Sequence, residues 1–186
     1  MAFGCTITPA AQNVQDRRYQ VSVKGGEPIP LSDTFKGMFP VDISRDHSEF
    51  LLAQQLDEAP NGPYPIWSAG ILSGQLRRVG NIAGMFAGWS PDGQSIAYTK
   101  GQEVHLARSD GEELRTLARV KGLAGYVGWS PDGRRIRFGE GDGTLSLLWE
   151  VFADGSGPLR CCRQVKIRTY AELRQRVIQE PGAAGT

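Results

Sequence analysis

The chain is short of the residues on which several classes of protein depend. Its 186 residues include three cysteines, Cys5, Cys161 and Cys162, and two histidines, His47 and His105. An odd count with two neighbours in sequence makes no disulfide framework, so the cysteines read as free thiols. No four-ligand zinc spacing can be built from so few sulfur and imidazole groups, and no metal ligand or cofactor is expected. The nucleophile elbow Gly-x-Ser-x-Gly does not occur, and neither histidine has a serine or cysteine partner in a recognisable motif. No catalytic residue is therefore named, and the chain is not read as an enzyme. A continuous apolar run of about 18 residues is also missing, which leaves no candidate membrane-spanning helix. Charge of one sign is absent too: 21 Lys and Arg face 20 Asp and Glu, for a formal net charge of +1. That balance gives no global attraction to nucleic acid or to an anionic membrane. Met1-Ala2-Phe3-Gly4-Cys5 has no basic residue and no apolar run ahead of Asp16-Arg17-Arg18, so it reads neither as a signal peptide nor as a lipoprotein leader.

What the chain has in quantity is glycine, 24 residues, and proline, 11, both at turn-like places. Gly88-Trp89-Ser90-Pro91-Asp92-Gly93 recurs forty residues later as Gly128-Trp129-Ser130-Pro131-Asp132-Gly133. Repetition at a fixed period marks a supersecondary unit that needs a neighbour to bury its apolar face. Serine, proline, aspartate and glycine in that order are the residues of a type I turn. One strand therefore ends at each Trp and the next begins just past each Gly. Asp92 and Asp132 read as turn formers, because one carboxylate per turn falls far short of the six to eight oxygens that calcium takes. Trp89 and Trp129 read as large aromatics wedged between repeats. A worn third copy lies at Val41-Asp42-Ile43-Ser44-Arg45-Asp46-His47, leading into Phe50-Leu51-Leu52.

A second kind of hairpin alternates with the first. Tyr19-Gln20-Val21-Ser22-Val23 and Pro28-Ile29-Pro30-Leu31 flank Lys24-Gly25-Gly26-Glu27; looser versions turn at Ser73-Gly74, at Asp110-Gly111 and at Asp154-Gly155. Two alternating hairpins make four short strands in roughly 40 to 44 residues, the size of a propeller blade. The expected fold is all-β, a partial β-propeller of about three to four four-stranded antiparallel blades. Apolar residues such as Ile136 and Phe138 should face neighbouring blades, and the arginines between them should face the other way or sit at an edge. Residues 1–18 read as an irregular lead-in, 19–159 as the repeats and 160–186 as a non-repeat tail. Thr169-Tyr170-Ala171-Glu172 is a capping box, and Tyr170, Leu173 and Val177 share one face, which predicts a short amphipathic helix over about 169–180. Residues 160–176 hold six basic residues and one acidic residue, read as a solvated face and not as a nucleic-acid patch.

These phrases, with Ile96-Ala97-Tyr98 after the turn and Asp110-Gly111 or Asp154-Gly155 closing the other hairpin, resemble the TolB-like, WD-like β-propeller repeat family. The wording is closer to propellers that follow a CadC-like, OmpR-type winged-helix domain in bacterial regulators, on the strings Gln20 to Leu31 and Leu148-Trp149-Glu150-Val151. The resemblance implies a non-catalytic module for ligand sensing or protein–protein interaction, with the partner unnamed, and a periplasmic setting if the whole protein follows the family. Two other readings share the fold: the gating propeller of a prolyl-oligopeptidase-like serine peptidase, and a TolB-like periplasmic interaction protein. Propellers of that family usually have six or seven blades, so the chain reads as a fragment, with a frame change near Arg160 as one source. An unclosed arc exposes strand edges, through which homo-oligomers form.

Overall fold

The computed structural model describes residues 19–20, 26–27, 29–30, 35, 37–141, 146–156 and 159–165. The chain divides into two compact units, Met1–Met38 and Phe39–Thr186. In the first, β1 (Tyr19–Gln20) and β2 (Ile29–Pro30) pair antiparallel, Tyr19 opposite Pro30 and Gln20 opposite Ile29. The lead-in 1–18 and the helix expected at about 169–180 lie outside the described residues.

Twelve further strands form three antiparallel sheets of four, each a simple meander in chain order. Blade A holds β3 (Met38–Ile43), β4 (Glu49–Gln54), β5 (Tyr64–Gly70) and β6 (Leu76–Gly84). Blade B holds β7 (Phe86–Trp89), β8 (Ser95–Lys100), β9 (Glu103–Arg108) and β10 (Glu113–Arg119). Blade C holds β11 (Leu123–Trp129), β12 (Arg135–Gly141), β13 (Ser146–Phe152) and β14 (Arg160–Val165). The fold is a partial β-propeller, with no α-helix among the described residues. No helix among them is long and apolar enough to cross a membrane.

A strand side chain alternates between faces, so a sheet covered on both sides needs apolar residues at consecutive positions. Ile96-Ala97-Tyr98 in β8 meets that need. Ile96 and Tyr98 enter one core with Val41, Leu51, Ile66 and Val79 of blade A. Ala97 enters a second core with Val127, Ile136, Phe138 and Val151 of blade C. Blade B is thus the filling between two apolar layers, and each fully buried Ile or Phe in them contributes about 1.5–3 kcal/mol. Arg137, between Ile136 and Phe138, turns the other way. Instead of reaching water it is buried against Glu150 on β13, Nε to Oε2 2.8 Å, and Arg135 holds the other oxygen of the same carboxylate at 3.0 Å.

The outer turns carry a second set of joints. Gly111, at φ +92°, lies against the backbone of β6: a Cβ there would stand 2.5 Å from the Val79 carbonyl oxygen and 2.6 Å from the Gly80 nitrogen. In the next blade the matching turn at Asp154-Gly155 meets β10, where Arg115 Nη2 donates to the Ala153 carbonyl at 2.7 Å. These two outer turns, of blades B and C, are thereby fixed to the outermost strand of the blade before them.

Candidate functional site

Three turns of one design stand at the ends of β3, β7 and β11. In blade B the Ser90 amide donates to the Ser95 carbonyl (2.8 Å) and the Gly93 amide to the Ser90 carbonyl (2.9 Å), which closes the turn. The Ser90 hydroxyl donates to Asp92 Oδ1 at 2.6 Å and accepts from the Ser95 amide at 2.9 Å, while the Gln94 amide donates to Asp92 Oδ1 at 3.0 Å. Blade C repeats each bond: Ser130 hydroxyl to Asp132 at 2.6 Å, Arg135 amide to Ser130 Oγ at 2.9 Å, Arg134 amide to Asp132 at 3.0 Å. Gly93 and Gly133 both stand at φ +71°, the left-handed conformation glycine tolerates best. Blade A keeps the same pattern with other residues. The Ser44 hydroxyl donates to Asp46 Oδ1 at 2.7 Å, the Glu49 amide donates to Ser44 Oγ at 2.9 Å, and His47 fills the glycine place at φ +58°. The serine hydroxyl, followed by the backbone amide two residues on, holds the carboxyls of Asp92 and Asp132 below the ordinary aspartate range. Asp46 is lowered in the same way by Ser44 and Ser48.

Asp110-Gly111 and Asp154-Gly155 close the outer hairpins with a simpler device. The Glu112 amide donates to Asp110 Oδ1 at 3.0 Å and the Ser156 amide to Asp154 Oδ1 at 2.7 Å. The turn carboxylates are thus engaged with their own backbone. Among the described residues no group of three or more His, Cys, Asp or Glu converges as metal ligands.

Behind the turns the first strands of the blades meet. Trp129 Nε1, in blade C, donates to the Gly88 carbonyl of blade B at 3.0 Å, and the Trp89 amide of blade B donates to Asp42 Oδ2 of blade A at 2.8 Å. The two tryptophans are half-buried against the inter-blade cores. They differ in one atom: Trp89 Nε1 is buried with no hydrogen-bond partner among the described residues. Between these strands and turns opens a cleft of about 310 Å³, walled by Asp42, Arg45, Gly88, Trp89, Pro91, Val127, Trp129 and Pro131 among others. A second hollow of about 490 Å³ adjoins it and shares Arg45, Ser90, Pro91, Trp129 and Pro131. Trp89, Ser90, Pro91, Trp129, Ser130 and Pro131 thus stand together at one cleft, whereas Asp110, Gly111, Asp154 and Gly155 belong to the outer turns and do not line it. Asp42 and Arg45 are the site residues that repeat reading passed over. The signal was Asp42 standing where the other two copies have Gly88 and Gly128.

One row of groups suggests catalysis at first sight. The Thr116 hydroxyl lies 3.3 Å from His105 Nδ1, and Glu103 Oε2 lies 3.3 Å from His105 Nε2. The partner His105 lacked in sequence is therefore a threonine on the adjacent strand. The imidazole is stacked on Tyr98 with ring centroids 5.0 Å apart, however, and Glu103 also pairs with Arg119. The row is built into blade B and does not line the cleft.

No protein-family model matches the sequence, and no curated protein matches it. Solved structures do match. A putative TolB from Agrobacterium tumefaciens is 20% identical with a TM-score of 0.68, the match covering 81% of this chain and 57% of that one. TolB from Acinetobacter baumannii is 18% identical with a TM-score of 0.65, over 81% of this chain and 38% of that one. A gluconolactonase from Xanthomonas campestris is 17% identical with a TM-score of 0.58, over 82% and 48%. The fold is that of TolB-like propellers, and the chain spans about half the length of the proteins it matches.

Proposed function

We propose that the chain is a non-catalytic, partner-binding segment of a propeller within a larger bacterial sensor or transcriptional regulator. The fold alone does not choose, since TolB and a gluconolactonase share it. The observation that carries the reading is the cleft built jointly by three consecutive blades. Its walls include two indoles and one arginine, the side chains enriched where proteins bind one another, beside proline rings and the carboxylate of Asp42. The turn carboxylates that could have served chemistry are held by their own serine hydroxyls and amides. The regulator reading rests in addition on the resemblance of Gln20 to Leu31 and of Leu148-Trp149-Glu150-Val151 to propellers attached to winged-helix domains.

A random peptide library selected on the protein tests the cleft. Enriched peptides should lose binding on Arg45→Glu and on Pro131→Asp and keep it on Lys121→Gln, at the far end of the blades. Peptides insensitive to both cleft variants would remove the reading.

A further inference from the structure

In an antiparallel pair, residues alternate between those bonded to the partner strand and those whose amide and carbonyl point away from it. Ser90 is bonded to Ser95, so the neighbouring Trp89, opposite Ile96, turns its amide toward the free inner edge of β7. Asp42 of the preceding blade meets that amide with a carboxylate oxygen at 2.8 Å. Blade C repeats the ladder: Ser130 is bonded to Arg135, and Trp129, opposite Ile136, turns its amide to the inner edge of β11. The residue of the preceding blade that stands where Asp42 stood is now Gly88. It has no side chain to offer. A Cβ on Gly88 would lie 3.5 Å from Asp42 Oδ2, 3.5 Å from the Val127 carbonyl and 4.0 Å from Trp129 Cδ1, all ordinary van der Waals contacts, so a small side chain fits there without a clash. It opens into the 310 Å³ cleft, whose charged lining groups are Asp42, already engaged with Trp89, and Arg45.

We propose that the Trp129 edge amide is a seat for a carboxylate brought by the partner, an aspartate side chain in a peptide segment, held as Asp42 is held on Trp89. Arg45 supplies the opposite charge at the cleft, and charge-assisted bonds to backbone amides are stronger than neutral ones. The inference rests on the cleft being the binding mouth and adds the chemistry of what enters it.

The test is a titration of the ¹⁵N-labelled protein with acetyl-Gly-Asp-Gly-amide, with its asparagine counterpart and with acetate, read at the Trp129 amide. The aspartate peptide should move that resonance downfield in a saturable way, the asparagine peptide should not, and the Trp89 amide should stay in place. Arg45→Gln should weaken the response several-fold. Gly88→Asp should shift the Trp129 amide without any peptide and abolish the response, while Gly88→Ala, which also fits, should retain it. A motionless Trp129 amide, an equal response to the asparagine peptide, or a full response in Gly88→Asp overturns the proposal. Acetate acting as strongly as the peptide overturns the peptide as source in favour of a free carboxylate. If the amide stays still while Arg45→Glu and Pro131→Asp still abolish binding of library-selected peptides, the seat is wrong and the cleft reading survives.

Discussion

His47 occupies the place that glycine holds in the other two turns, at φ +58°. A residue with a Cβ is strained there by about 1–2 kcal/mol, and glycine recovers most of that at some cost in chain entropy. His47→Gly should therefore stabilise the protein by about 0.5–1 kcal/mol. The urea midpoint should rise with an unchanged slope; a fall would mean that the histidine side chain contributes more than its backbone costs. This turn was legible as a worn copy because Ser44 and Asp46, which make the defining bonds, are still present. The strain at His47 was not legible, since nothing local to the sequence says that the backbone keeps its shape when the glycine is lost.

The two outer turns look alike on paper and behave differently as elements. Gly111 is pressed to the backbone of β6, whereas a Cβ on Gly155 would meet the guanidinium of Arg115 at 3.7 Å. An arginine side chain can move; a strand backbone cannot move without disturbing its blade. Gly155→Ala should cost about 1 kcal/mol, the penalty of the left-handed backbone. Gly111→Ala should cost roughly 3 kcal/mol, because over-packing adds to that penalty. Paired urea denaturation of the two variants measures the difference, and equal losses would place both turns in open space. Asp-Gly was readable as a turn in each case because its chemistry is local. The contact that separates them joins residues some thirty apart, Gly80 and Gly111, and no spacing rule announces it.

Across the whole molecule, stability is distributed in two apolar layers, one on each face of blade B. Phe138→Ala, in the layer shared with blade C, should cost about 3–5 kcal/mol. In a stacked array the damage passes first to the nearest neighbour. Hydrogen exchange should therefore quicken in β7 to β14 and least in β3 to β6; uniform quickening would mean that the three blades open as one unit. Architecture at this scale was the most legible part of the chain, since consecutive apolar residues such as Ile96-Ala97-Tyr98 demand cover on both faces. The cleft was only half legible. Its tryptophans and prolines belong to the repeated phrase, but Asp42 reaches Trp89 across 47 residues, and only the assembled blades bring them together.

The joints also have a direction in time. Trp89 meets Asp42, Trp129 meets Gly88, and Ala153 meets Arg115, in every case a residue of one blade engaging a residue of the blade made before it. In a chain leaving the ribosome N-terminus first, at roughly 5–20 residues per second, each blade emerges after the one whose residues it engages. Growth then resembles laying courses of brick, each joint closing only when the later blade has emerged.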